Sequence, residues 1–354
     1  MLKIIVSLSM LLCTVSFSPA QVSQAQVGQA QVNQTVHSTE PVNTIAFGSC
    51  FRETRAAPIF DTIFKAAPDV FIFLGDNGYI DPTDQSMLDA GYARLAQIPA
   101  LKTLMTQTKV LATWDDHEFG INDAGKENPM KIESQKAFLD FWGDGPNSAR
   151  RGRAGVYESY SFGPEGQRVQ VILLDTRYFR DALEIAPDVK PKTYIPSANP
   201  AATILGREQW VWLEEQMKQP CDVRIIASSI QVIPQEHRFE KWLNFPLEQK
   251  RLFDLIGKTQ TADSTTKTVL ISGDRHAGEF SVAKDVSPKP IYEVTSSSLN
   301  NSAGRFKQEP NRYRQGPLIT VNHFALMRFD WATRTVVVEL VGEDGAVLSS
   351  MKID

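Results

Sequence analysis

The chain predicts an α/β fold of four layers, an αββα sandwich in which two mixed sheets are flanked by helices. Three observations predict it. Strand-like runs alternate with helix-spaced segments through the middle of the chain. Five apolar runs end abruptly on residues able to bind metals or phosphate, and the C-terminus changes to strands joined by tight turns. With 354 residues, 42% hydrophobic and 22% charged, the chain can build a large core. A formal net charge of -4 offers no basic stripe, so a nucleic-acid structural partner is not expected.

Lys3, the apolar stretch from Ile4 to Phe17 and Ser18-Pro19-Ala20 read as a signal peptide over residues 1–20. Export, to the periplasm or outside the cell, is therefore expected. No stable membrane span is expected, because that stretch is broken by serines and shorter than the ~20 residues a span needs. Residues 21–40 carry Gln-Ala-Gln-Val twice, without caps or apolar period, and read as a flexible spacer. The folded domain is placed at 41–354.

Its strand-like runs are Thr44 to Cys50, Val70 to Tyr79, Val110 to Glu118, Val223 to Gln231 and Val269 to His276. Strands of one sheet ending on the same side would gather these polar tips into one crevice. Helical spacing marks Ala57 to Ala66, Gln85 to Gln97, Glu133 to Trp142, Gly206 to Lys218 and Pro246 to Ile256. Phe324 to Trp331, Thr335 to Val341 and Ala346 to Ile353 read as an antiparallel meander on a second sheet. Asp181 to Thr203 and Leu299 to Gly316 are long unpatterned stretches suited to framing a pocket.

The tips carry the chemistry. Asp76 ends a buried strand, where a carboxylate can bridge two cations, and Tyr79 can curl back as a phenolate ligand. Asp115-Asp116-His117-Glu118 packs two carboxylates and an imidazole together, an arrangement that favours a cation. Strand alternation points Asp115 and Asp116 opposite ways, so one primary ligand, Asp116, is expected. His117 becomes a proton donor or phosphate contact, and Trp114 belongs to the core. Asn122 and Asp123 offer further oxygens or a turn. Asp274 and His276, two apart, fall on one face and can reach the same or adjacent metals.

Cys50 and Cys221 are the cysteines left after the leader. On parallel strands, one at a C-terminal end and one at an N-terminal end, they would lie roughly 15 Å apart, beyond the ~7 Å a disulfide spans. A thiolate ligand for a soft or high-valent metal is the better reading of Cys50.

Phe-Gly-Ser-Cys50, Gly-Asp76-x-x-Tyr79, Trp-Asp-Asp116-His117-Glu, Leu-Asp175-Thr-Arg177, Leu-Gly206-x-Glu-Gln-x-x-Trp-Leu, Ser228-Ser-x-Gln231 and Ser-Gly-Asp274-x-His276 together resemble the alkaline phosphatase D family of metallophosphoesterases, relatives of the purple acid phosphatases. The resemblance implies a metallophosphatase-like sandwich and an exported phosphoric ester hydrolase. It implies ferric iron on Cys50, Asp76, Tyr79 and His276. Calcium, or else magnesium or manganese, would take Asp116, Asp274 and Gln231, with Asp76 as the bridge; Gln231 is matched by motif position alone. A metal-bound hydroxide would attack phosphorus in line, with His117 and Arg52 stabilising the transition state. Arg177 and Arg275 could equally contact phosphate or be scaffold. The substrate would be a small-molecule, lipid or polymer phosphate ester, cleaved as a monoester or diester by a monomer. A phospholipase D-like or wall-polymer phosphodiesterase and a non-catalytic metal-binding protein are the rivals. Set against larger family members, the chain is expected to be a single catalytic domain without the β-sandwich that precedes theirs.

Overall fold

Val70-Phe-Ile-Phe-Leu74 is apolar on both faces, and such a strand is stable only with a packed layer against each. The computed structural model, which describes residues 36–260, 264–304 and 309–354, gives it both. Val70–Leu74 runs parallel between Thr44–Gly48 and Lys109–Thr113. Beside Thr44–Gly48 the antiparallel strands His323–Asp330, Thr335–Gly342 and Val347–Ile353 continue the same sheet. The C-terminal meander thus extends the first sheet and does not found a second.

The second sheet has eight strands in the order Val36–Ser38, Glu158–Phe162, Val169–Leu173, Val223–Ser228, Lys267–Ser272, Ile291–Ser296, Gly278–Ala283 and Arg314–Ile319. Val36–Ser38, parallel to Glu158–Phe162, lies within the segment read as spacer, so strand pairing begins before residue 41. The expected leader and residues 21–35 lie outside the described residues.

Period-two alternation builds the layers. Ile45, Phe47, Ile72 and Leu74 meet Val171, Leu173, Ile225 and Ile271 between the sheets. Their neighbours Ala46, Phe71 and Phe73 face outward, onto helices Ile59–Ala66, Gln85–Leu95 and Lys131–Phe141. On the far side Ile172, Ile226 and Leu270 pack on Trp210 and Leu213 of helix Gly206–Gln216 and on Leu252 and Ile256 of helix Pro246–Thr259. Truncating a fully buried Phe73 here would cost about 3–5 kcal/mol. Helix Pro99–Gln107, opened by a proline at its first turn, was not legible because only Leu101 and Leu104 of it are buried. Among the described residues no helix is long and apolar enough to cross a membrane.

Candidate metal centre

The five tips come from both sheets, three from the six-stranded and two from the eight-stranded one, not from a single sheet. Polar cross-links hold the two edges together. Ser49 Oγ donates to Ser296 O at 3.3 Å, Ser296 Oγ donates to Phe47 O at 3.2 Å, and Thr113 Oγ1 donates to Leu174 O at 2.8 Å. Two glycines allow the approach. A Cβ on Gly75 (φ +101°) would lie 2.5 Å from Asp115 Cβ, and one on Gly273 would lie 2.6 Å from Ser49 Oγ.

At the tips the chain turns left-handed without glycine. Cys50 (φ 56°), Asp76 (51°), Asp274 (67°) and His276 (54°) all hold positive φ, a conformation costing on the order of 1 kcal/mol or more per residue. Four strained positions, each carrying a metal-binding side chain, mark a site and not a packing accident. The strain turns those side chains together. Cys50 Sγ donates to Asp76 Oδ2 at 3.4 Å, Tyr79 O–H donates to the same oxygen at 3.2 Å, and Tyr79 Oη lies 3.3 Å from His276 Nε2. Donor atoms of Cys50, Asp76 and His276 fall within 4.8 Å of one another, as do those of Asp76, Asp116 and His117.

The electrostatics suit bound cations. Asp76 Oδ1 and Asp116 Oδ1 are buried without a hydrogen-bond partner. Burial, then the Asp76 carboxylate, pushes the Cys50 thiol up, and burial raises the Tyr79 phenol and the Asp274 carboxyl in the same way. Burial carries Asp76 up to about 7 and His276 down to about 4. A thiol, a phenol, an imidazole and three carboxylates buried together need positive charge, and their mixture suits one ion taking S, N and O donors beside another taking oxygen.

Asp115 and Asp116 divide as expected, for a different reason. The strand ends at Thr113; Asp115 then caps a single helical turn, Asp116–Phe119, in a box with Glu118. Asp115 Oδ1 accepts from Arg177 Nε and Ser229 Oγ, each at 2.5 Å, whereas Asp116 faces the cavity with Oδ2 held by the Asp123 N–H at 2.6 Å. Arg177 is fully buried and bonds Glu240 as well, at 2.7 Å, so it is scaffold. Glu118, singled out by the sequence only as part of the motif, accepts from the N–H groups of Asp76 (3.0 Å), Asn77 and Asp115 (3.2 Å) and so fixes two ligand loops at once. Its capping-box spacing from Asp115 was the available signal.

A cavity of about 570 Å³ opens on Asp76, Asp116, Asp274 and His276. His117 lines it, with Nδ1 held 2.6 Å from Asp81 Oδ1 and its ring 4.2 Å from that of Tyr79. Burial opposes charge on His117, but Asp76, Asp116 and Asp81 prevail and push it up to about 11. Arg52 also lines the cavity, its guanidinium 4.2 Å above the Tyr79 ring and its Nε without a partner. Both unpatterned loops reach the rim, through Lys192 and Tyr194 from one and Asn301 and Ser302 from the other. Neither Asp81 nor Asn301 was legible beforehand.

Gln231 is tied to the eight-stranded sheet through its amide nitrogen. Its Nε2 donates to Glu279 Oε1 at 2.7 Å and to Thr295 Oγ1 at 2.8 Å, its Oε1 is buried without a hydrogen-bond partner, and the residue does not line the cavity. The strand ends at Ser228, and the chain beyond it curls back to pair Gln231 O with Trp242 N, so strand geometry no longer aims this side chain at the tips. Cys50 and Cys221 are both free; they belong to segments of different sheets, which separates them without the same-sheet argument.

An αββα sandwich with a two-sided donor cage at its strand tips is the metallophosphatase-like architecture. The profile of the PhoD-like phosphatase family matches residues 45–330, and the chain belongs to that family. It is 24% identical over 286 residues to alkaline phosphatase D of Bacillus subtilis, a match spanning 67% of this chain and 46% of that protein. The chain thus aligns with about half the length of this curated relative. Among solved structures, that of PhoD superposes with a TM-score of 0.66 at 18% identity, covering 90% of this chain and 74% of the other. A dimetal phosphatase from Danio rerio gives 0.52 at 13% identity over 89% of this chain and 99% of that one. GAP50, the anchor in the inner membrane complex of Plasmodium, gives 0.54 at 12% identity over 89% of each chain. At these identities the superpositions speak for the fold alone.

Proposed function

We propose that the protein is an exported, metal-dependent phosphoric ester hydrolase. The observation that carries this reading is the donor cage, in which Cys50, Asp76, Tyr79 and His276 converge while Asp76 Oδ1 and Asp116 Oδ1 stay unpartnered. Cys50, Tyr79, His276 and one Asp76 oxygen would hold ferric iron. Asp116 and Asp274, with Asp76 shared, would hold calcium, or magnesium or manganese in its place. When bound, the cations would supply Lewis-acid charge to the phosphoryl oxygens and acidify a water towards neutrality.

The remaining work falls to side chains. Arg52, held flat over Tyr79, offers guanidinium N–H groups to the phosphoryl oxygens, where charge grows in the transition state. His117, its Nδ1 engaged by Asp81, presents the opposite ring nitrogen to the cavity and holds a proton there for the departing alkoxide. Tyr194 and Phe239 stand in the wall of the same cavity.

Comparing para-nitrophenyl phosphate with its bis-ester tests the preference, and a diester rate far above the monoester rate would turn the reading towards a lipid or wall-polymer phosphodiesterase. Metal analysis with visible absorption tests the cage. About one iron per chain and a phenolate or thiolate band lost together with activity on chelation is the expected result. A colourless, iron-free and fully active preparation would reject iron. A metal-replete protein inert towards both esters would leave the non-catalytic reading.

A further inference from the structure

Three guanidinium groups line the cavity without a carboxylate partner among the described residues: Arg52, Arg55 and Arg238. The other lining cations are taken, Lys192 by Asp123 at 3.2 Å and Arg275 by Glu309 at 2.6 Å. Arg52 and Arg55 belong to the Cys50 loop, and Arg55 Nη1 is tied at 2.5 Å to Asn301 Oδ1 beside His276. Arg238 stands on a different wall. Its guanidinium lies 4.3 Å from the centroid of the Phe239 ring, that of Arg275 lies 4.2 Å from the same centroid, and Arg238 Nη1 donates at 2.9 Å to Lys192 O. The Tyr194 N–H answers by donating to Arg238 O at 2.9 Å, and Tyr194 O–H donates to Asp123, whose own N–H holds Asp116. Arg238 is therefore fixed in place, half-buried, and still unneutralised.

One phosphoryl group between two cations has no need of a guanidinium on that second wall, since Arg52 already serves it. A positive charge braced by aromatic stacking and a backbone carbonyl, and left without a counter-charge, is built to meet an anion brought by the ligand. We propose that the Arg238–Phe239–Lys192 wall is a leaving-group subsite selecting phosphate esters whose alcohol portion carries a second negative charge. The inference rests on the hydrolase reading above and names its substrate class. Tyr194 supplies apolar surface for the carbon skeleton, and Arg238, braced on Phe239, supplies the charge.

The test is a ratio. kcat/KM is measured for para-nitrophenyl phosphate and for a nitrophenyl phosphate bearing a ring carboxylate, on the full-length, metal-replete protein. The carboxylated ester should be preferred, the preference should shrink as salt rises, and Arg238→Gln should lower the ratio about tenfold, with Arg238→Lys retaining part of it. A wild-type ratio at or below one, or the same ratio in folded Arg238→Gln, overturns the subsite and leaves the hydrolase reading standing. Hydrolysis of neither ester by metal-verified protein overturns both. Should Arg238→Gln not fold, the salt dependence of the wild-type ratio decides, and a salt-independent ratio counts against the subsite.

Discussion

Two buried polar clusters meet at the strand tips and are opposites in construction. Behind the tips, Asp115, Arg177, Glu240 and Arg180 alternate in sign at 2.5–2.9 Å, each charge answered by its neighbour. In front, Cys50, Asp76, Tyr79, Asp116, Asp274 and His276 gather metal-binding donors, and among the described residues no salt bridge reaches the carboxylates of Asp76, Asp116 or Asp274. Asp115 and Asp116 are adjacent in the chain and fall on either side of that divide. A buried cluster balanced within itself is scaffold, while one that balances only with added cations is a site.

The largest expected effect breaks the front cluster. Asp76→Ala or His276→Ala should lower kcat/KM by about 10³-fold or more and deplete bound metal, with the circular dichroism of the folded chain retained. Unchanged turnover at verified metal content would reject the cage. The rear cluster should respond in stability: Arg177→Met leaves Asp115 buried and without its cation, with Glu240 still paired to Arg180, and urea unfolding should show a loss of about 3–5 kcal/mol. A loss below about 1 kcal/mol would mean the alternation of charge is incidental.

A pH measurement sharpens the contrast next to the cavity. Burial, then Arg275, pushes Lys241 down to about 8, against the pull of Glu309 and Glu240, with His237 also nearby. The folded chain therefore releases this proton before the unfolded chain, whose lysines titrate near ~10.4. Stability should rise as pH climbs from about 8 towards 10, by on the order of 3 kcal/mol in full, and Lys241→Met should flatten that rise. Parallel stability curves for the two proteins would remove Lys241 from the account. The smallest effect belongs to Gln231. Gln231→Ala should cost about 1–2 kcal/mol through the lost bonds to Glu279 and Thr295 and leave metal content alone. A variant short of one metal would restore Gln231 as a ligand.

Residues whose role follows from local pattern were legible in the sequence. Val70 to Leu74 could only be a strand covered on both faces, and Gly-Asp76-x-x-Tyr79 and Gly-Asp274-x-His276 could be read as ligand turns because the apolar runs before them leave polar tips with nothing to pack. The helices failed in detail where burial was thin, as in Pro99–Gln107. Gln231 was legible only as a motif position, because it lies three residues past the strand, where direction is set by what the chain meets next.

By itself the sequence determined the four layers, the order of the tips and the donor types at each, since hydrophobic period and side-chain chemistry are local properties. Tertiary structure decided the rest. It put the tips on two sheets, sent the C-terminal meander to the first of them, paired Asp115 with Arg177 while leaving Asp116 open, and set Arg238 unneutralised on the cavity wall. Those choices depend on which distant charge arrives to answer a buried one, and periodicity along a chain carries no record of that.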